Sequence, residues 1–342
     1  MGKLVRPKVF MVGYTTVDQV GLRAYLEYTG NQEFMASWDA AKAEGLSDGE
    51  CLCSLYAKLC YRSLTLGKNA NVSRVRDIRA NIESTHDTGH GSVWEHFGIN
   101  FVVTDCSRVY THEQVRHRSG WAYSQTSGRY CRLDQIDLVW SDLLDPVKEL
   151  WLKHLGATED LVYLTECKLG LRKPNPKNPS APPEAGLLSE ANLEASAWDR
   201  AEAVSLVVAG VRWVPDDTFN FDKRKAITSA IRRIAPNGQA NEIGMTCNIR
   251  ALRQVVQTRT ARFAETEIRD IYAQVYHLVS ARFPTIFHKA KTRIVDGLPE
   301  VYNMRLQPYE IEAGDPKALE FWGAEALRAE LAKRDAPPAT AG

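Results

Sequence analysis

Arg116, His117 and Arg118 stand side by side, and Ser127-Gly128-Arg129-Tyr130 follows within the same stretch, RHRSGWAYSQTSGRYCR. Guanidinium groups bind phosphate oxygens through two parallel N–H bonds, and hydroxyls and backbone N–H groups add further donors. Gly128 permits close backbone approach to an anion that Arg129 can then hold. The chain as a whole is nearly neutral: 43 Lys+Arg against 42 Asp+Glu, a formal net charge of +1. A cluster this dense in such a chain points to an anionic ligand, and the balance argues against a broad nucleic-acid-coating surface. The stretch lacks the Gly-Lys-Ser/Thr of a phosphate-binding loop and the G-x-G-x-x-G of a dinucleotide fold. Taken alone, His117 reads either as a neutral donor near a cofactor or as a packed core histidine. Arg116 and Arg118 read either as ligand contacts or as structural ion pairs.

A second polar tract contains Arg232, Asn248, Arg250, Arg253, Gln254 and Arg259, separated mostly by apolar or small residues. Asn248, Gln254 and Arg259 do not follow one outward stripe, so some of them can point into a cleft. The competing reading is a solvated helix whose arginines pair with Glu265 and Glu267.

In this order the two tracts resemble the flavin-dependent thymidylate synthase family. The resemblance rests on Arg-His-Arg, a short spacer and Ser-Gly-Arg-Tyr. Upstream it adds Gly89-His90 and Glu95-His96, and downstream RRIAP at 232–236, CNIRAL at 247–252 and QTR at 257–259. It covers about 86–130 and 226–282. It implies an enzyme in which FAD lies across a homotetramer interface and NADPH reduces the flavin. A one-carbon unit passes from 5,10-methylenetetrahydrofolate to C5 of dUMP, with no covalent cysteine. FAD contacts are implied for His90, Ser92, Arg116, His117, Arg118, Asn248, Arg250 and Gln254. Nucleotide contacts are implied for Arg116, Gln125, Ser127, Gly128, Arg129 and Arg232. Arg259 is implied as the catalytic arginine, facing the pyrimidine ring and favouring its N3-deprotonated form, which is electrostatic stabilisation.

Two departures bear on substrate choice. The spacer SGWAYSQT has eight residues, one more than is usual in the family, and places Trp121 beside the expected sites. Gln125 stands where the family carries glutamate. A neutral amide changes the expected ribose or base contact, so UMP or dCMP can replace dUMP, and the product can be hydroxymethyl rather than methyl. The alternative of another class is a nucleic-acid-binding protein, motivated by the arginines and eight tryptophans.

Positioning these residues requires a sizeable core, and 342 residues with a hydrophobic fraction of 44% allow one. Periodicity predicts a strand over 9–17, helices over 20–62 broken at Gly30, Gly45 and Gly49, and a helix over 69–85. A glycine-bearing turn at 86–96, a strand over 97–105 and a return to helix through Tyr110 and Gln114 follow. Residues 142–169 read as helix, 173–186 as a linker with five prolines, and 188–210 as helix again. Residues 213–224 read as a surface excursion and 225–280 as a helix-rich tract interrupted at 236–238. With the resemblance, this gives an α+β fold: a central antiparallel sheet flanked by helices, with a mainly helical C-terminal half. A single catalytic domain is expected over 1–308, with an insertion at about 140–225. The extension over 309–342 is expected to hold a short charged helix and to be partly disordered.

Seven cysteines, an odd number in a chain large enough not to need staples, do not read as a disulfide framework, and Cys51 and Cys53 read as buried thiols. Cys51-x-Cys53 and His86-x3-His90 are weak zinc patterns without further ligands, so no metal is expected. No run is apolar enough to span a bilayer, and the N-terminal residues lack a secretory core, so a cytoplasmic location and no membrane partner are expected.

Overall fold

The computed structural model describes residues 2–177 and 213–303, except 132, 134, 135, 217 and 219. The elements in chain order begin with β1 (Leu4–Val5), β2 (Lys8–Tyr14), α1 (Gln19–Tyr28), α2 (Phe34–Ala43), α3 (Asp48–Cys60) and α4 (Ile78–Asp87). A 3-10 segment, Gly91–His96, leads into β3 (Gly98–Cys106), α5 (Arg108–Gln114) and β4 (Trp121–Gln125). Then come β5 (Leu138–Val139), α6 (Lys148–Lys168), β6 (Arg172–Lys173), β7 (Val214–Pro215) and α7 (Phe221–Ile231). The described chain closes with β8 (Asn241–Asn248), α8 (Ile249–Arg259), α9 (Thr266–Arg282) and the hairpin β9 (Lys291–Val295) and β10 (Leu298–Tyr302). The expected helix over 188–210 and the extension beyond 303 lie outside the described residues.

The central sheet runs β2-β3-β8-β4 with every neighbour antiparallel. Its strands alternate: Ile99, Phe101 and Val103 of β3 and Ile243, Met245 and Cys247 of β8 are buried on one face. The same core takes Leu252, Val255 and Val256 of α8 and Ile271, Tyr272, Val275 and Val279 of α9. An α+β fold with an antiparallel sheet flanked by helices is therefore what the chain adopts.

Two of the expected segments differ from what forms. The tract over 225–280 contains β8, a central strand paired on both sides, where the sequence suggested helix. Met245 and Cys247 favour strand weakly, and β8 runs into α8 without a break, so the alternation is short. The helix expected over 69–85 starts only at Ile78. Asn69 folds the preceding segment into a turn, accepting from the Asn71 backbone N–H (3.0 Å), and Asp77 caps the helix through the Ala80 N–H (2.7 Å).

Local chemistry explains the entry to α3. Ser47 and Glu50 form a reciprocal capping box, with the Ser47 N–H donating to the Glu50 carboxylate at 2.8 Å and the Glu50 N–H to Ser47 Oγ at 3.2 Å. Gly49, expected to break the helix, lies inside it. A Cβ there would sit 2.4 Å from the Phe97 ring, so glycine is needed for close approach rather than for a turn. Among the described residues no helix is long and apolar enough to cross a membrane.

Cys51 and Cys53 are buried free thiols, as the sequence suggested, and so are Cys106 and Cys247, whereas Cys60 and Cys131 are exposed. Burial pushes all four buried thiols upward, Cys51 and Cys106 to about 12. An unfolded thiol ionises near about 8.5, so above that pH the unfolded chain binds fewer protons than the native one, and stability falls as pH rises. Buried Lys58, lowered to about 8 by desolvation, acts with the opposite sign between there and the unfolded lysine value of roughly 10.4. It is one group against four. The urea midpoint is expected to fall between pH 8 and 10.5; a rise over that range would contradict the thiol account.

Candidate active site

The two polar tracts meet at two places. At the first, the Asn248 N–H donates to the Gly120 carbonyl at 3.0 Å, joining the end of β8 to the spacer. Gly120 has φ of +73°, and a Cβ there would lie 2.6 Å from Asn248 Nδ2, so this junction needs glycine twice over. At the second, Arg259 at the end of α8 donates from Nε to His117 Nε2 (2.9 Å) and from Nη1 to Glu113 (2.7 Å). Accepting at Nε2 leaves the His117 proton on Nδ1. Burial, then the Arg259 charge, lowers the affinity of His117 for a second proton, while Glu113 opposes this.

A buried hydrogen-bond chain fixes the backbone beneath. Tyr272 donates to Gln114 Oε1 (2.7 Å), Gln114 Nε2 donates to the Tyr123 hydroxyl (3.1 Å), and Tyr123 donates to the His117 carbonyl (2.7 Å). Trp121 lies on the core side of β4 with its ring near-parallel to Tyr123, centroids 6.0 Å apart. It does not line the cleft described next.

A cleft of about 550 Å³ opens between α5, the loop after β4 and the turn after α7. Gln125, Ser127, Gly128 and Arg232, four of the expected nucleotide contacts, line it together. Two backbone bonds hold its walls: the Arg108 N–H donates to the Asn237 carbonyl (2.9 Å), and the Thr126 N–H to the Glu242 carbonyl (2.9 Å). Arg129 is exposed beside this cleft, its N–H donating to Ser127 Oγ at 3.3 Å. Arg116 and Arg259 are not among its lining residues.

Arg108, which is not among the expected contacts, also lines this cleft. It is half-buried, and its Nη2 donates to the Thr126 carbonyl at 3.1 Å. Burial first, and then the charge of Arg232, lowers its pKa. The signal was present: Ser107 caps α5, so Arg108 is a cation in the first helical turn, where the macrodipole disfavours it unless an anion is bound.

The expected flavin contacts are spread over several elements. His90 is exposed, stacks on Tyr61 and lines a separate cavity of about 400 Å³ with Lys58, Arg74 and Arg76. Ser92 is exposed on the 3-10 segment, and Gln254 is exposed on α8. Asn248 caps α8, its Oδ1 accepting from the Ala251 N–H at 2.8 Å. Arg250 pairs with Glu95 at 2.5 Å. Arg116 and Arg118 are exposed and carry no ion pair among the described residues, which leaves both guanidiniums free for a diphosphate. Of the expected set, only Arg116 and Arg118 have the free cationic groups that suit the FAD phosphates, whereas Asn248 and Arg250 already have internal partners. The suggested pairing of the second tract with Glu265 and Glu267 is not what forms. Glu265 caps α9, Glu267 accepts from Ser107, and Arg259 and Arg250 find Glu113 and Glu95 instead. His86 and His90 do not converge: His86 is buried against Trp94, whereas His90 is exposed.

A sequence profile of the family described as thymidylate synthase complementing protein matches residues 44–285. Relatives named flavin-dependent thymidylate synthase include one from Mycobacterium avium (strain 104). It is 27% identical over 255 residues, which is 75% of this chain and 85% of the relative. Another, from Mycobacterium tuberculosis (strain ATCC 25618 / H37Rv), is 26% identical over 268 residues, 78% of this chain and 89% of the relative. Among solved structures, thymidylate synthase X from Helicobacter pylori with FAD and dUMP aligns at a TM-score of 0.42 and 15% identity, covering 82% of this chain and 95% of that one. The UMP/dUMP methylase PolB from Streptomyces cacaoi, bound with 5-Br dUMP, aligns at 0.45 and 13% identity, covering 83% and 94%.

Proposed function

The chain belongs to the flavin-dependent thymidylate synthase family, and from that premise we propose that it methylates C5 of dUMP. The one-carbon unit comes from 5,10-methylenetetrahydrofolate and the electrons from NADPH. The observation that supports this most is the cleft itself, where Gln125, Ser127 and Gly128 meet Arg232 from a distant part of the sequence. Ser127, the Gly128 backbone, Arg108, Arg129 and Arg232 hold the 5′-phosphate, and Gln125 reaches the ribose or base. Arg259 faces the pyrimidine and stabilises negative charge on its N3–O4 edge as C5 becomes nucleophilic. Neutral His117 accepts from Arg259 and so fixes the direction of its guanidinium. His90, Ser92, Arg116, His117, Arg118, Asn248, Arg250 and Gln254 hold FAD, which when bound supplies the redox chemistry between NADPH and the one-carbon unit.

The His90 cavity and the nucleotide cleft are lined by different residues of one chain, which suits sites completed by neighbouring subunits of a homotetramer. We assign 1–308 to one catalytic domain. Part of the proposed insertion at 140–225, through Trp140, Leu155, Val162 and Leu171, shares a second cluster with Leu133, Ile136, Leu138 and Ile231 from outside it. One observation favours a second substrate. Gln125 is exposed in the cleft and can both donate to and accept from a ribose 2′-hydroxyl, so UMP is the runner-up.

The test is product mass with folate and NADPH present, comparing dUMP, UMP, dCMP and CMP on the yellow, flavin-loaded protein. A product of dUMP heavier by one methylene unit is expected. A flavin-free protein, or no modified nucleotide from any of the four, would refute the assignment. Arg108→Ala is expected to weaken dUMP binding about tenfold to a hundredfold, because a hydrogen bond to a charged group contributes ~1.5–3 kcal/mol. A competitive titration showing unchanged affinity would remove Arg108 from the phosphate site.

A further inference from the structure

We propose that Glu267 is a positioning residue of the nucleotide site, setting where Arg108 stands by clamping Ser107 at the start of α5. This rests on reading the cleft as the nucleotide site and adds to it a carboxylate outside its lining.

The clamp uses both carboxylate oxygens. Ser107 donates its backbone N–H to Glu267 Oε1 at 2.7 Å and its hydroxyl to Oε2 at 2.5 Å. With its proton committed to Glu267, Ser107 Oγ accepts from the Tyr110 N–H at 3.0 Å and caps α5. The next residue, Arg108, donates its own N–H to the Asn237 carbonyl at 2.9 Å. The N–H groups of Ser107, Arg108 and Tyr110 are therefore all held, and the side chain that leaves from among them is the one lining the cleft. Bonds to an ionised acceptor are the stronger kind. Burial raises the pKa of Glu267, and the two bonds from Ser107 act against that rise, so the clamp favours the charged form. A negative charge here also suits the N-terminus of α5 and offsets the Arg108 cation in its first turn.

α5 needs such support. With 7 residues it is too short to hold its place by its own hydrogen bonds. Its far end is tied to α9, where Tyr272 donates to Gln114 Oε1 at 2.7 Å. Glu267 lies about one and a half turns before Tyr272 on the same helix, so α9 grips α5 at both ends. Between those grips α5 presents Arg108 to the nucleotide cleft and Glu113 to Arg259. Ser107 and Glu267 themselves line a separate cavity of about 530 Å³ and not the nucleotide cleft. Glu267 therefore reaches the nucleotide through Ser107 and Arg108.

The test is a double-mutant cycle on the flavin-loaded full chain, read as kcat and KM for dUMP with folate and NADPH saturating. Glu267→Gln keeps the size of the side chain but not its charge, and is expected to raise KM about tenfold with kcat changed less than about twofold. Flavin content is expected to stay at the wild-type level. In the Arg108→Ala background the same substitution is expected to add less than about twofold, because the residue through which it acts is gone. Glu267→Asp, charged but a methylene shorter, is expected to regain part of the affinity. An unchanged KM in Glu267→Gln overturns the proposal. So does an effect of full size in the Arg108→Ala background, or equal losses in KM, kcat and flavin, which a general structural role would give. Should Glu267→Gln fail a thermal-melt check, Ser107→Ala removes only the hydroxyl limb and takes its place in the cycle, with the same outcomes deciding. Arg108→Ala binding dUMP as tightly as wild type would sink the phosphate reading of the cleft and this proposal with it, whereas failure confined to the Glu267 variants leaves that reading standing.

Discussion

Arg259→Ala is expected to cut turnover about a hundredfold to a thousandfold, the usual effect of removing a donor aimed at developing negative charge. Flavin content is expected to fall far less. The geometry places the loss at the upper end of that range. Arg259 is mostly buried, with Nε on His117 and Nη1 on Glu113, and it is the cation paired with the Glu113 carboxylate. Removing it leaves that carboxylate uncompensated beside the site of charge development, where it repels an electron-rich pyrimidine. The double variant Arg259→Ala/Glu113→Gln is therefore expected to recover part of the lost rate, about tenfold. Arg259→Lys keeps the charge but loses the fork that contacts both partners, so its recovery is also partial. Steady-state turnover measured beside the flavin absorbance of the purified variants separates the outcomes. Equal losses of turnover and flavin would move Arg259 to the cofactor.

Trp94→Ala has the second large effect, a destabilisation of ~3–5 kcal/mol. Trp94 is fully buried in the 3-10 segment, between Ser92 and Glu95. Its ring stacks on His86, with centroids 4.1 Å apart. Burial and the nearby Arg253 charge push His86 down to about 2, so the partner is a neutral imidazole and the contact is packing rather than ion–aromatic attraction. The alanine cavity would release the segment that presents His90 and Ser92, so flavin loss should accompany the drop in stability. Trp94 Nε1 has no hydrogen-bond partner among the described residues, so Trp94→Phe forfeits no polar contact there and is expected to retain most of both. A urea midpoint and flavin release rate close to wild type for the alanine variant would show that the segment is held by other contacts.

Much of the site is written locally. Arg116-His117-Arg118, Ser127-Gly128-Arg129 and Arg232 announce anion binding through residue type and close spacing, and Gln125, Ser127, Gly128 and Arg232 do share one cleft. The turn before the 3-10 segment is equally legible, because Gly89 takes a positive φ of 69°. Arg108 carries only a weak local signal, a cation just after the Ser107 cap; the loop folded over α5 and Arg232 beside it are what bring it to the cleft. The partners of Arg259 and Arg250 are set by tertiary contact as well. Glu265 and Glu267 are near in sequence, whereas Glu113 and Glu95 are near in space.

The sequence by itself determined which chemical groups are available: guanidiniums, an imidazole, hydroxyls and close-approach glycines in a nearly neutral chain. Tertiary structure alone decided that Asn241–Asn248 is a strand, since its backbone groups are satisfied by β3 and β4 on its two sides and not by its own neighbours. That single pairing carries the second tract to the first, sets Asn248 against Gly120, and starts the helix that ends at Arg259. Helical periodicity is a local signal, but a central strand is stabilised by partners far along the chain, and its effect on the site appears only once those partners are in place.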